Sequence, residues 1–196
     1  MPKQVDHAVR RREIVHALWS VIFERGLDGV TLRAVADAGG VSIGRVQHYF
    51  DSREDLVLAG CREMVRAAQE TLDIGADEPA EALRKLLRSA IPTTTGLRLG
   101  SSVWYAYLAK SVSDPAVATI VTAAMTEAHA AAEHLIRAAA SNDPALGADA
   151  SAVAERLLSL ADGLAQRVLV GHLDAERALT QIDNSLTEHA LRTARM

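Results

Sequence analysis

One short stretch of the sequence holds three side chains that can hydrogen-bond to the edges of nucleic-acid bases: Arg45, Gln47 and His48. Arginine bonds bidentately to guanine and glutamine to adenine, while Gly44 beside them leaves room for a close approach of the backbone. If the stretch forms a helix, Ile43 and Val46 share its inner face and the polar residues lie outside. The stretch therefore has the chemistry expected of a helix that enters a major groove.

Two short helices separated by a glycine pair would position these residues. Thr31 is a suitable N-cap for the first helix, whose apolar side chains recur with the spacing of one helical face. Gly39 and Gly40 can adopt positive φ without a steric penalty, so the chain can turn sharply before Ser42 caps the second helix. The sequence thus predicts a helical hairpin with a steep angle. An alternative remains open at this point, because many such hairpins expose their polar face only to water.

The surrounding sequence resembles the N-terminal domain of the tetracycline-repressor (TetR) family of transcriptional regulators. The resemblance runs without a gap from about Ile14 to Leu58 and includes Glu24-Arg25-Gly26, Thr31, Val35-Ala36, Ala38-Gly39, Val41-Ser42, Gly44 and Tyr49-Phe50. This chain departs from the family at one point, since the family usually has Leu-Tyr where this chain has Val46-Gln47. The phosphate contact made by the family's tyrosine is therefore not expected at Gln47.

The resemblance implies two groups of DNA-binding residues. Base edges would be read by the outward side chains of the second helix: Arg45, Gln47 and His48. Gly44 would allow the helix backbone to approach the DNA closely. Phosphates would be held by the polar side chains around them: Thr31, Arg33, Ser42, Tyr49 and Arg53. The expected partner is a palindromic operator in double-stranded DNA, bound by a homodimer that acts as a repressor.

Helical periodicity extends on both sides of the hairpin. Residues 10–25 have apolar side chains with helical spacing, whereas residues 1–9 have no pattern and are predicted to be a mobile arm. Ser52 is expected to cap a long helix that reaches about residue 72, which in the TetR family connects the DNA-binding part to the ligand-binding part. The sequence therefore predicts a helix-turn-helix DNA-binding domain at residues 1–56 and a ligand-binding and dimerisation domain at residues 57–196.

Composition favours an all-α protein throughout. Hydrophobic residues make up 49% of the 196-residue chain and aromatic residues only 4%, and helix formers dominate over β-branched residues. Cys61 is the single cysteine, and with no signal peptide and no long apolar run this predicts a cytoplasmic protein without a membrane partner. The net charge of −4 argues against a nucleic-acid binder, but acidic and basic residues balance through Leu56, so the negative excess lies beyond the predicted DNA-binding domain.

The second predicted domain has aromatic and polarisable side chains that could line an effector pocket. They lie on two predicted helices that the TetR family uses as pocket walls: Trp104, Tyr105, Tyr107, Met125 and His129. Such a pocket would accept a small, largely apolar effector that is oriented by a few polar groups. The competing interpretation is that these side chains form structural core, and the sequence does not decide between the two.

Wide apolar stripes mark the last two predicted helices. A stripe of this kind is typical of a core, but the TetR family pairs these helices with their copies in a four-helix dimer interface. We therefore assign six residues to that interface: Leu157, Ala161, Leu164, Val168, Ile182 and Leu186. The short pattern at residues 161–164 also resembles a subgroup related to the choline-sensing repressor, and it does not identify a ligand.

No nucleophile elbow, P-loop, zinc-protease motif or dinucleotide fingerprint is present, so the sequence predicts no catalytic residue, no cofactor and no metal site. His129 and Glu133 share a helix face and could hold a metal, although a solvated or hydrogen-bonded face is the favoured interpretation. Two other functional classes stay open. One is a helical enzyme or small-molecule carrier with its pocket near Trp104, and the other is an interaction protein whose hairpin contacts a protein rather than DNA.

Overall fold

The computed structural model describes residues 2–71, 78–140 and 149–188, and the secondary structure in these ranges is helical, which confirms the all-α prediction. The α-helices are α1 (Pro2–Arg25), α2 (Leu32–Ala38), α3 (Ile43–Tyr49), α4 (Arg53–Thr71), α5 (Pro79–Ser89), α6 (Thr95–Ser111), α7 (Pro115–Ala139), α8 (Ala150–Leu169) and α9 (Ala175–Glu188). A 3₁₀ turn, Leu27–Gly29, connects α1 to α2. None of the helices within the described ranges is long and apolar enough to cross a membrane.

The N-terminus of the chain differs from its prediction. A mobile arm was expected over residues 1–9, whereas α1 begins at Pro2, so that prediction is wrong. Proline is tolerated in the first turn of a helix because its missing N–H would have no intrahelical partner there. The long helix α4 ends at Thr71, within one residue of its predicted end near residue 72. The sequence also predicts polar linkers at residues 73–79 and 141–147 and a last helix that ends near residue 195. Residues 72–77, 141–148 and 189–196 lie outside the described residues.

The predicted hairpin turn and the cap of the long helix are confirmed. Gly40 has φ of 61°, in the left-handed region that favours glycine, whereas Gly39 has φ of −84°, so only the second glycine of the pair uses this freedom. The hydroxyl oxygen of Ser52 accepts a hydrogen bond of 3.0 Å from the backbone N–H of Asp55, which caps α4. Because these signals are local, the hairpin and the start of α4 follow directly from the sequence.

The helices divide into two compact units. Unit 1 consists of Met1–Gln69 and Ser102–Thr122, and it contains the helical hairpin. Its core includes side chains from α1, α2, α3 and α4, each at most 2% exposed: Leu18, Val21, Val35, Val46 and Leu56. Burying each of these side chains contributes about 1.5–3 kcal/mol, so this core fixes the positions of α2 and α3. The indole N–H of Trp19 also donates to the Gly60 carbonyl at 3.2 Å and ties α1 to α4.

Unit 2 consists of Glu70–Ser101 and Ala123–Met196. Its core is formed by one apolar cluster to which α5, α7, α8 and α9 contribute, with Leu83, Ile136, Leu157 and Ile182 among its buried side chains. The helices α5, α8 and α9 pack against one another. The apolar faces of the last two helices, α8 and α9, are therefore buried in this core.

A cluster of three charged side chains reinforces the contact between α5 and α9. Asp183 accepts hydrogen bonds from Arg84 at 2.9 Å and from Arg88 at 2.8 Å. Partial burial acts to raise the pKa of Asp183, but the hydrogen bond from Arg84 and the charges of both arginines outweigh it, so the pKa lies below its usual value. Asp183 therefore keeps its negative charge at neutral pH, and its bonds to both arginines hold α9 against α5.

Candidate nucleic-acid interface

The helix α3 presents the predicted base-reading side chains to solvent. Val46 is fully buried and anchors the inner face, while Arg45, Gln47 and His48 are exposed. The hydroxyl oxygen of Ser42 accepts a 3.2 Å hydrogen bond from the backbone N–H of Arg45, so the first turn of α3 is fixed by its own cap. The predicted Ser42 cap is confirmed, and the arrangement offers one polar helix face on a rigid support.

The space around this face is open. A methyl group added at Gly44 would meet nothing within 4 Å, so the backbone there is accessible to a large partner. Within the described residues, the guanidinium groups of Arg33 and Arg45 form neither an ion pair nor a hydrogen bond. Two unpaired cations on the hairpin suit an anionic partner, because they gain contacts on binding without first breaking any.

The position of Ile43 differs from its prediction. Its spacing to Val46 predicted a buried side chain, yet Ile43 is 42% exposed, so that prediction is wrong. Ile43 is the first residue of α3, whereas the buried Val46 lies one turn further into the helix. The polar face of α3 therefore includes an apolar group, of the kind that contacts thymine methyl groups in major grooves.

Thr31 caps α2 as predicted. Its hydroxyl oxygen accepts a 3.0 Å hydrogen bond from the backbone N–H of Ala34. The hydroxyl hydrogen is not used by this bond, so Thr31 can still donate to a phosphate oxygen, as can Ser42 at the start of α3. The two caps thus fix the hairpin and at the same time present donors at its surface.

Tyr49 lies in an aromatic cluster that the sequence did not predict. Its ring centre is 4.5 Å from that of His7 and 5.2 Å from that of His48, and His7 lies 6.3 Å from His48. His7 belongs to the part of α1 that was predicted to be a mobile arm. Nothing in the sequence indicates this contact, because helical periodicity is weak there and the partner is far along the chain. The first turns of α1 therefore lie beside the end of α3.

Arg53 has partners other than the predicted phosphate. Its Nε donates to the Val30 carbonyl at 2.8 Å, and its Nη2 donates to the Leu27 carbonyl at 2.7 Å. Its remaining nitrogen, Nη1, lies 3.6 Å from Glu54. The guanidinium is thus directed at the turn between α1 and α2.

The residues predicted to bind an effector divide between the two units. Trp104, Tyr105 and Tyr107 belong to unit 1, whereas Met125 and His129 belong to unit 2. Met125 is 48% exposed. The Nε2 of His129 lies 3.0 Å from the Ser151 hydroxyl and 3.8 Å from Glu133, so His129 takes part in a surface contact between α7 and α8.

Tyr107 is inside the core of unit 1. It is fully buried, and a methyl group at Gly60 would lie only 2.5 Å from its hydroxyl oxygen, so Tyr107 packs directly on α4. Burial raises the pKa of Tyr107, with a further contribution from the adjacent Cys61. Among the described residues, the Tyr107 hydroxyl has no hydrogen-bond partner. This placement favours the core interpretation for Tyr107 over the pocket interpretation.

The side chains assigned to the dimer interface are buried within the single chain. All six are at most 4% exposed and belong to the core of unit 2: Leu157, Ala161, Leu164, Val168, Ile182 and Leu186. Side chains already covered by α5 and by each other have almost no surface left to bury against a second copy. The interface assignment stays a prediction, because an amphipathic stripe shows that a face is covered but not what covers it.

Two family models match the chain. The model described as BetI-type transcriptional repressor, C-terminal, matches residues 79–191, and the model described as bacterial regulatory proteins, tetR family, matches residues 14–59. The relatives include the HTH-type transcriptional regulator PksA of Bacillus subtilis, 35% identical over 113 residues, covering 56% of this chain and 55% of PksA. The regulator BetI of Stenotrophomonas maltophilia is 29% identical over 125 residues, covering 61% of this chain and 63% of BetI. The matched region therefore spans less than two thirds of these relatives.

Solved structures share the fold over most of the chain. A transcriptional regulator from Saccharomonospora viridis, in complex with choline, has a TM-score of 0.80 and 24% identity, covering 92% of this chain and 96% of that one. A TetR-family regulator from Rhodococcus sp. has a TM-score of 0.81 and 22% identity, covering 91% of this chain and 97% of that one. The matched families and relatives are transcriptional regulators and not enzymes. The chain belongs to the TetR family of bacterial transcriptional regulators, with a C-terminal domain of the BetI type.

Proposed function

We propose that this regulator is a repressor that binds a palindromic operator as a homodimer and leaves it when a small molecule binds. The observation that carries the proposal is the exposed polar face of α3. Arg45, Gln47 and His48 lie on that face, while buried Val46 and the Ser42 cap hold the helix rigidly. A rigid helix with exposed donors and acceptors suits a major groove, where each base pair presents its own pattern of partners.

The two groups of polar residues would have different tasks. Arg45 is suited to guanine, Gln47 to adenine, and His48 to either a base edge or a neighbouring phosphate. Phosphate contacts would come from the side chains around the hairpin: Thr31, Arg33, Ser42 and Tyr49. Contacts of the second group position the hairpin on any duplex, whereas those of the first group select the sequence.

The homodimer follows from the geometry of DNA. Two copies of α3 must lie about 34–36 Å apart to enter successive major grooves on one side of the duplex, which one protomer cannot achieve. The outward face of α8 supports this pairing better than its buried stripe. Exposed Ser159 and Gln166 flank Gly163 on that face, and a methyl group at Gly163 would meet nothing within 4 Å. Gly163 and the small Ser159 side chain would let two copies of α8 approach closely there.

The effector would contact Trp104 and Tyr105, which are only partly buried. Aromatic rings of this kind suit a small molecule with a largely apolar surface. The choline bound to the Saccharomonospora viridis regulator supports a quaternary ammonium as one such molecule. Its charge is covered by methyl groups, and aromatic rings attract it through cation–π interactions. To act as an inducer, the molecule must bind the conformation that is incompetent for DNA more tightly than the DNA-bound one.

Binding of the full-length protein to DNA from upstream of its own gene tests the operator part of the proposal. We expect specific binding that weakens steeply with salt, with two protomers per site, and protection of a sequence with two-fold symmetry. A random duplex of equal length is the control. Equal affinity for both duplexes, or binding of a single protomer, would contradict the proposal.

Titration of the operator complex tests the effector part. Choline, its neutral carbon analogue and a neutral aromatic of similar size distinguish a quaternary ammonium effector from an uncharged one. Trp104→Ala should retain operator binding and lose release by the active compound, whereas Leu97→Ala, an exposed change on the same helix, should behave like the wild type. Normal release of Trp104→Ala would place the effector elsewhere.

A further inference from the structure

The first residue of α4 reaches back to the turn that precedes α2. The Nε and Nη2 of Arg53 donate to the carbonyls of Val30 and Leu27, at 2.8 and 2.7 Å, across 23 and 26 residues of sequence. Both donors lie on the same edge of the planar guanidinium, and their acceptors lie three residues apart in the chain. Arginine offers this fork of two donors, whereas lysine has only a compact ammonium group.

The turn that Arg53 contacts determines where α2 begins. The backbone N–H of Val30 donates to Leu27 at 3.1 Å and closes the turn, and the Val30 side chain is buried. The next residue, Thr31, caps α2 with its hydroxyl. A shift of the turn would therefore move the start of α2, and with it Arg33 and the hairpin.

The same contacts leave Arg53 poorly suited to a phosphate. One edge of the guanidinium is engaged by the two carbonyls, and Nη1 lies 3.6 Å from the carboxylate of Glu54. To contact DNA strongly, the side chain would have to break its hydrogen bonds to the two carbonyls, which the guanidinium charge strengthens. Arg33 differs in that, within the described part of the chain, its guanidinium has no such partner.

We infer that Arg53 is a positioning residue for operator recognition, which fixes the turn before α2 to the start of α4 rather than holding a phosphate. This inference depends on the operator binding proposed above. In it, Arg53 acts through Thr31 and α2, and the charge of the guanidinium matters only because it strengthens the two hydrogen bonds to the turn.

Three variants of the full-length protein separate positioning from phosphate contact: Arg53→Lys, Arg53→Met and, as the matched control, Arg33→Met. Operator affinity is measured as a function of salt. If Arg53 positions the turn, both of its variants lose affinity by a similar factor, roughly tenfold or more, and keep the wild-type salt slope. Arg33→Met should instead reduce the slope by about 0.9 per half-site.

The opposite pattern would overturn the inference. A phosphate contact predicts that Arg53→Lys retains most of the affinity and that Arg53→Met reduces the salt slope like Arg33→Met. An Arg53→Met variant that is fully folded at the assay temperature and binds as tightly as the wild type would also overturn it. If the wild type itself does not bind the operator, the proposed function fails, which is a distinguishable result.

A measurement on the unmodified protein covers the case in which a variant does not fold. The Nε–H resonance of Arg53 can be followed by NMR in the free protein and in the operator complex. A hydrogen bond to Val30 that persists should keep this proton slow to exchange and almost unshifted in both states. A large shift or a loss of protection on adding operator would show that the side chain changes partners and would refute the positioning role.

Discussion

Tyr107→Phe should stabilise the protein, because it removes a buried hydroxyl that has no hydrogen-bond partner among the described residues. An unsatisfied buried polar group costs about 1–3 kcal/mol. The lost oxygen also made a few favourable contacts, each worth roughly 0.1–0.2 kcal/mol. We therefore expect a net gain of about 1 kcal/mol in the free energy of unfolding, which raises the melting temperature by about 2–4 °C for a chain of this size.

Urea and thermal unfolding, followed by circular dichroism at neutral pH, measure this change. Tyr105→Phe is the matched control, since Tyr105 is on the same helix but only partly buried, and we expect a smaller effect there. The core placement of Tyr107 further predicts that Tyr107→Phe leaves release by the effector unchanged. A decrease of about 1 kcal/mol or more in the free energy of unfolding would refute the reasoning, because the hydroxyl would then have a partner in solution. A loss of release by the effector would contradict the core placement of Tyr107.

The contact can also be tested from α4. In Gly60→Ala the new methyl group would clash with a Leu18 methyl carbon and would lie 2.5 Å from the Tyr107 oxygen. Overpacking of this kind costs about 1–3 kcal/mol, while the gain in helix propensity is about 1 kcal/mol, so a net loss is expected. Adding Tyr107→Phe removes one of the two clashes and should restore part of the stability. Strict additivity of the two changes would show that the side chains do not touch.

Three further predictions concern DNA reading, assembly and pH. Arg45→Ala should cost about 1–3 kcal/mol of binding free energy per half-site and relax base preference, measured by binding to a set of operator variants. Arg10→Ala, the control, should do neither, and an unchanged affinity for Arg45→Ala would exclude base reading. Gly163→Glu should give folded monomers in sedimentation experiments, whereas Gly100→Glu, at another open helical glycine, should not change the oligomeric state. A Gly163→Glu dimer would exclude this face of α8 as the dimer interface. Burial raises the pKa of Cys61 from 9.0 to about 11, so the unfolded chain ionises first and stability falls between these pH values. Cys61→Ala should remove roughly 2 kcal/mol of that fall in urea titrations, and an identical pH profile would contradict the burial of the thiol.

The DNA-binding hairpin was predictable because its structure depends on local signals. Thr31 and Ser42 cap helices through bonds to residues three positions later, and Gly40 adopts the positive φ that the turn requires. Each of these features is decided within a few residues of the sequence. The start and end of α4 were predictable for the same reason, since the Ser52 cap and the apolar spacing that follows it are local signals.

The contacts of Arg53 and Tyr49 were not predictable in this way. Arg53 reaches carbonyls 23 and 26 residues away, and the Tyr49 ring contacts that of His7, on a part of α1 that lacks a clear apolar pattern. A family resemblance assigns a role to a position, but the role depends on the side chain's partners in the fold. For Arg53 the position implied a phosphate, whereas the geometry supplies two carbonyls of the same chain.

The stripes of α8 and α9 show why assembly is harder to predict than the fold. Leu164 and Ile182 have the spacing of a covered face, and one protomer already covers them to at least 96%. A dimer interface and a protein core are formed by the same types of apolar residue, because both exclude water, so the spacing of these residues does not distinguish them. What distinguishes them is the opposite face of α8, where Ser159, Gly163 and Gln166 give no hydrophobic signal at all. If two copies meet there, close approach of the helix backbones would stabilise the pair in place of large apolar side chains, and periodicity alone would never reveal it.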